Sequence, residues 1–335
     1  MEYRRLGKTD MKVSVVGLGC WPFAGGVEGA GRSEWGYQDE RDSLRTVVAA
    51  LDAGINLFDT AEAYGCSEEV LGKALAGQRH RAIIATKVSP NHLTADELTK
   101  ACDGSLDRLR TDYIDLYQIH WPNRSVPIAE TMAALEKLRA QGKIRTIGVC
   151  NMGVHDLTEL LEIGQCVADQ ISYSLIWRVS ESEIQPCCRA NGMGIICWGP
   201  LMEGLLTGKF RTPDDFPLTR ARTRHFSRAR PLTVHDESGQ EEETFAAIDR
   251  VRRIANGIGQ PMAAVSIAWL LHQSGVTTVL AGSRRPEQIL QNARAAELSL
   301  PPEIVQELAD ATEALKRRFG SNHCMYSPAE STPIR

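Results

Sequence analysis

Between residues 59 and 120 the chain carries four side chains whose chemistry interlocks: Asp59, Tyr64, Lys87 and His120. A free phenol has a pKa of about 10 and donates a proton poorly near neutrality. An ammonium beside it favours the phenolate and eases proton donation to a developing alkoxide. A lysine held there needs a partner, and a carboxylate provides one. A histidine close by can hydrogen-bond a substrate oxygen and fix its direction. The set suits reduction of a carbonyl group. It supplies the proton but no hydride, so a redox cofactor must accompany it. Each residue alone has a plainer role: Asp59 as a turn cap, Tyr64 as packing, Lys87 as a solvated strand end, His120 as a satisfied core histidine. Only their joint placement favours chemistry.

That placement requires particular elements. Eight short apolar runs read as strands: 13–19, 55–59, 82–87, 114–120, 144–151, 167–172, 194–198 and 277–282. Amphipathic stretches at 40–53, 67–76, 94–110, 128–141, 153–162, 180–191 and 261–273 read as helices between them, with Gly54 as a C-cap. Eight alternations predict a closed (β/α)8 barrel. "GLGCWP" (17–22) starts like a dinucleotide-binding turn, but Pro22 stands where the third glycine belongs. "GKT" (7–9) imitates the end of a P-loop, but Glu2 stands where its first glycine should be. The first dozen residues read as a β-hairpin closing the barrel floor. Residues 199–240 form a long Pro- and Arg-rich insertion after the seventh strand. The expected organisation is one domain over 1–318 and a polar tail over 319–335.

Composition agrees with such a barrel. The chain has 335 residues, 43% hydrophobic and 24% charged, with a net charge of −4. This argues against nucleic acid or an anionic membrane surface as partner. Nine cysteines lie mostly in apolar runs with no C-x-x-C pair, as expected of reduced thiols in a cytoplasmic protein. No metal is expected. No apolar stretch reaches the roughly 18 residues of a membrane span.

Active sites of such barrels lie at the C-terminal strand ends. The second to fourth runs end in Asp59, Lys87 and His120, with Tyr64 on the loop after the second. The fifth ends in Asn151, the sixth contains Gln170, the seventh ends in Trp198, and the eighth in Gly282, Ser283 and Arg284.

At this point "GLGCWPFAGG", "GINLFDTAEAYG", "IIATKV", "DYIDLYQIHWPN", "GKIRTIGVCN", "WGPLMEGLLTGKF" and "AGSRRPEQILQN" resemble the aldo-keto reductase family, in its order and spacing, from Tyr3 to Arg318. The resemblance lies with the bacterial branch related to potassium-channel β subunits. It implies a (β/α)8 TIM barrel binding NADPH across its mouth, with Asp59, Tyr64, Lys87 and His120 as the catalytic tetrad. It further implies Asn151 and Gln170 at the nicotinamide carboxamide, and Trp198 stacked on the ring. Gly199, Pro200, Leu201 and the loop to Lys209 would follow the pyrophosphate. Ser283 and Arg284 would meet the adenosine 2′-phosphate, Gln288 and Asn292 the adenine side, with Gly282 also in the cofactor site, and Arg285 would point away. Cys150 and Gly199 stand where serine is frequent. The implied activity is NADPH-dependent reduction of an aldehyde or ketone. The alternative is a nucleotide-sensing regulatory subunit with slow turnover, resembling a potassium-channel β subunit. The expected partner is a small carbonyl compound, and the resemblance leaves room for a homo-oligomer. Trp21, Trp35 and Trp121 are expected to wall the substrate pocket, with loops 21–36, 121–127 and 199–240 and the tail deciding the substrate. The run "TRARTRHFSRAR" (219–230) reads first as a solvated loop and second as a lid bringing a cation to cofactor phosphates. Cys66 reads as a quiet thiol, and "HDESGQEEE" (235–243) as the acidic start of a helix.

Overall fold

The computed structural model describes residues 1–25 and 35–335. Residues 26–34, within the 21–36 loop expected to shape substrate choice, lie outside the described residues. A two-stranded antiparallel hairpin, β1 (Tyr3–Arg5) and β2 (Lys12–Ser14), precedes eight parallel strands: β3 (Val16–Gly19), β4 (Leu57–Asp59), β5 (Ile83–Val88), β6 (Ile114–Ile119), β7 (Ile144–Cys150), β8 (Ala168–Ser172), β9 (Gly194–Trp198) and β10 (Val276–Gly282). They close into a barrel in chain order, with β10 beside β3. The helices are α1 (Glu40–Asp52), α2 (Ser67–Ala74), α3 (Ala95–Leu109), α4 (Ile128–Ala140), α5 (Val154–Ile163), α6 (Ile184–Ala190), α7 (Glu241–Gly257), α8 (Met262–Leu271), α9 (Pro286–Arg294) and α10 (Pro302–Phe319).

Three boundaries differ from expectation. The run 13–19 divides, its start joining the hairpin and its end the barrel. The stretch 180–191 is a 3-10 turn at Val179–Glu181 followed by α6. Pro186 lacks an amide hydrogen and its ring crowds the carbonyl four residues back, so a continuous helix through Ser182 is disfavoured. The acidic helix start falls at Glu241, after Gly239 turns the chain at φ +79°.

The barrel interior begins with an apolar layer. Leu57, Ala85, Leu116, Ala168, Ile196 and Leu280 pack with Leu6 and Val13 of the hairpin, which closes the floor. Gly148 belongs to this layer for a steric reason: a Cβ there would come within 2.8 Å of Leu116 Cδ1. The C-terminal segment is not a loose polar tail. Cys324, Met325 and Ile334 are buried, and the Arg335 carbonyl accepts from His155 N at 3.0 Å near the start of α5.

Candidate active site

Side chains on one strand face recur every two residues. One step above the apolar layer, the same inward face therefore presents Asp59, Lys87, Gln118, Cys150, Gln170, Trp198 and Gly282. A dry floor thus carries a polar layer at the C-terminal mouth. Lys87 Nζ donates to Asp59 Oδ1 at 2.6 Å and to the Thr60 carbonyl at 2.8 Å. Asp59 also accepts from Gln170 Nε2 at 2.7 Å.

Tyr64 enters from the loop between β4 and α2. Thr60 and Ser67 hydroxyls bond each other, and Ser67 donates to the Cys20 carbonyl. The turn requires Gly65, whose φ is +51° and where a Cβ would sit 2.7 Å from the Ala24 carbonyl oxygen. The Tyr64 hydroxyl lies 3.5 Å from Lys87 Nζ and 3.4 Å from His120 Nε2. The four residues picked from the sequence are therefore together. Beside them, the Cys66 thiol donates to the Phe23 carbonyl at 3.3 Å.

Electrostatics refine the expected proton chemistry. Burial works to discharge Lys87, but Asp59 and then Tyr64 outweigh it, so the ammonium is held above its ordinary range. Burial raises the Tyr64 phenol, and Lys87 pulls it down only in part. The net shift is upward, opposite to the sequence-based expectation. The reason is burial: taking the phenol out of water penalises the phenolate more than the Lys87 ammonium, 3.5 Å away, favours it, and the nearby Asp59 charge adds to the rise. Burial, then the Lys87 charge, pushes His120 down to about 3. At neutral pH the phenol therefore keeps its proton, Lys87 its charge, and the imidazole stays neutral.

Above this cluster opens a cavity of about 1130 Å³. Trp21, Trp35 and Trp121 line it. Trp21 stacks on Tyr64 at 6.2 Å, Trp35 meets Trp21 edge-on at 5.7 Å, and Trp121 lies 6.5 Å from His120. Asn151, Gln170, Trp198, Gly199, Pro200, Leu201, Lys209, Gly282, Arg284 and Gln288 also line it. Trp198 Nε1 donates to Asn151 Oδ1 at 3.0 Å. Asn151 in turn donates to the His120 carbonyl, from a left-handed backbone at φ +59°. Cys150, where serine is frequent, takes an Asn151 amide proton on its sulfur at 3.1 Å.

Three expectations are corrected. Ser283 and Asn292 are buried, bonded to each other at 3.2 Å, and off the cavity wall. Arg285 lines the mouth, because it is the extended, exposed cap residue of α9. The run 219–230 is not a solvated loop. Arg224 is buried against Glu237, and Arg230 pairs with Glu241. Arg220 and Arg222 stand on the cavity wall, where Arg220 bonds the Glu203 carbonyl.

The sequence reading missed Gln38, Glu203 and Tyr326, which also line the cavity. Tyr326 donates to Glu203 Oε1 at 2.9 Å, tying the C-terminal segment to the loop after β9. Lys209, Arg220, Arg222, Arg284 and Arg285 bring five basic side chains to a wall that also carries Asp39, Asp42 and Glu203, and Gly199, Gly204 and Gly282 leave room for a ligand against the backbone. These donors fit an elongated polyanion such as a dinucleotide. Among the described residues, no His, Cys, Asp or Glu cluster forms a metal site and no single helix is long and apolar enough to cross a membrane.

Known proteins resemble the chain over most of its length. The aldo-keto reductase YhdN of Bacillus subtilis is 34% identical over 305 residues, covering 86% of this chain and 87% of its own. An NADH-specific methylglyoxal reductase of Escherichia coli is 33% identical over 338 residues, covering 93% and 98%. The crystal structure of an aldo/keto reductase from Klebsiella pneumoniae in complex with NADP and acetate is 28% identical, with a TM-score of 0.71, and the match covers 94% of this chain and 95% of that one. The model of the Aldo/keto reductase family matches residues 16–313, from the first barrel strand into α10, and so takes in the whole polar layer around Asp59 and Lys87. With the closed barrel, its polar upper layer and these matches in agreement, the chain belongs to the aldo/keto reductase family.

Proposed function

We propose that the protein reduces an aldehyde or ketone to an alcohol with NADPH, Tyr64 donating the proton. The observation that carries this reading is the meeting of the Tyr64 hydroxyl with Lys87 Nζ and His120 Nε2, within 3.5 Å of each, under an aromatic-walled cavity. When bound, a reduced nicotinamide supplies the hydride. The chain's own residues do the rest. The protonated phenol gives its proton to the substrate oxygen. The Lys87 charge stabilises the phenolate left behind, and Asp59 holds that lysine in place. The neutral His120 imidazole orients the substrate oxygen, and Trp21 and Trp121 exclude water around it.

Asn151, Gln170 and Trp198 are proposed to hold the nicotinamide end. Lys209 and Arg220 flank the pyrophosphate path, and Arg284 receives the adenosine 2′-phosphate. Guanidinium presents a rigid fork of donors that matches a phosphate. An NADPH reading has a direct competitor, since the E. coli relative is named as NADH-specific. Arg284, whose guanidinium is held by the neutral Gln38 amide and the Tyr37 carbonyl, favours the cofactor with the extra phosphate. A slow nucleotide-sensing subunit is the second reading, and the complete quartet of Asp59, Tyr64, Lys87 and His120 favours turnover over it. The test is NADPH and NADH oxidation with a panel of aldehydes and ketones. Carbonyl-dependent oxidation with NADPH preferred is expected, and no carbonyl-dependent oxidation of either cofactor would overturn the reading.

A further inference from the structure

Gln38 immediately precedes the cap residue of α1, yet it is only 3% exposed. Its amide bonds one distant residue twice. Nε2 donates to the Arg284 carbonyl at 2.9 Å, and Oε1 accepts from Arg284 Nε at 2.8 Å. The neighbouring Tyr37 carbonyl accepts from Arg284 Nη2. The Arg284 amide donates to Gln288 Oε1 at 2.8 Å. Backbone and guanidinium of Arg284 are thus both fixed by the segment before α1.

Both side-chain partners of Arg284 are neutral, so they orient its charge without cancelling it. Burial, then the Arg285 charge, pulls the Arg284 guanidinium below its ordinary range, a strain that an arriving anion would relieve. The clamp uses Nε and one Nη2 hydrogen of the five guanidinium donors, and among the described residues the others have no hydrogen-bond acceptor, leaving them for a ligand. An arginine side chain has many rotamers to lose when it binds. Much of that freedom is already lost in the clamp, so a phosphate meets a pre-set fork.

We propose that Gln38 is a positioning residue for cofactor selection, holding the Arg284 guanidinium on the cavity wall where it receives the 2′-phosphate of NADPH. This rests on the assignment of Arg284 under the proposed function. Gln38 does not touch the reacting atoms; it acts through Arg284.

The experiment measures dissociation constants for NADPH and NADH, by quenching of tryptophan fluorescence, in wild type, Gln38→Met, Arg284→Ala and the double variant. Gln38→Met keeps the side-chain length and removes both amide bonds. NADPH binding should weaken about three- to tenfold and NADH binding less than about twofold. In the Arg284→Ala background, Gln38→Met should add no further loss. Gln38→Glu is the second variant, should the Met form fail to fold. It keeps an acceptor for Nε but neutralises the fork, so it should weaken NADPH more than Met does and spare NADH. Equal weakening of both cofactors, or further loss in the Arg284→Ala background, makes Gln38 merely structural and overturns the proposal. If Arg284→Ala removes the NADPH preference while Gln38→Met leaves it intact, the Gln38 role alone falls. If Arg284→Ala itself leaves the preference unchanged, the phosphate assignment of Arg284 falls and takes the Gln38 role with it.

Discussion

Breaking the buried Lys87–Asp59 pair from one side should cost more than removing it from both. Lys87 is fully buried and Asp59 is 4% exposed. At 2.6 Å, with an effective dielectric of about 20, their gross attraction is roughly 6 kcal/mol before desolvation is counted. Lys87→Met leaves the Asp59 carboxylate with only Gln170 Nε2 at 2.7 Å and Gln118 Nε2 at 3.4 Å. Asp59→Asn leaves a buried ammonium with the Thr60 carbonyl. Each single change should destabilise by about 3–5 kcal/mol. The double variant Asp59→Asn/Lys87→Met carries no buried charge at this point and should recover most of that loss. Turnover should not recover. Without Lys87 the Tyr64 phenol loses the charge that pulls it down, and turnover should stay at least about tenfold below wild type. His120 loses the charge that helps depress it, so the acid limb of the pH–rate profile should move to higher pH. The assay pairs chemical-denaturation midpoints with pH–rate profiles for the four proteins. Additive stability losses, or a double variant with normal turnover, would refute the coupling of pair and phenol.

His120→Ala should lower kcat/KM at least about a hundredfold while leaving the NADPH dissociation constant within about threefold; melting temperature measured alongside must stay near wild type for this to count, and a variant that only unfolds would return His120 to the core. Stability should fall as acid is added. Burial holds His120 at about 3 and His225 at about 4, both below the ordinary histidine value. The unfolded chain therefore takes up protons first. The stabilisation is complete above about pH 6.5 and is lost as pH falls toward 4, roughly 3 kcal/mol of it from His225 alone. Denaturation midpoints between pH 7.5 and 4.5 should show this slope, and His225→Gln should flatten it; an unchanged slope would show that His225 titrates alike in both states.

Much of the site was legible because it gathers at strand ends. Asp59 and Lys87 could be picked as the ends of apolar runs, and they lie two positions beyond inward Leu57 and Ala85; Gln118, two beyond Leu116, shares their face but is no strand end and was not picked. The loops carry no such rule. Arg220, Arg222, Glu203 and Tyr326 reach the cavity through irregular segments fixed by contacts far along the chain, such as the Tyr326 bond to Glu203. Gln38 is set by Arg284, 246 positions later. Ser283 misled because its position just past β10 matches a ligand-facing residue, while packing turns its hydroxyl toward Asn292. The direction of the Tyr64 shift was misread because a neighbouring charge is visible in a sequence and burial is not.

The most direct test is carbonyl-dependent NADPH oxidation by wild type and Tyr64→Phe, followed in a single turnover with an aldehyde that wild type accepts, beside the NADPH dissociation constant of each. The Tyr64 hydroxyl lies within 3.5 Å of both Lys87 Nζ and His120 Nε2. Loss of a positioned acid should slow the turnover by ~10²–10⁴-fold. Cofactor affinity should stay unchanged, since Phe keeps the ring stacked on Trp21. A Tyr64→Phe protein that turns over near the wild-type rate would contradict proton donation by Tyr64.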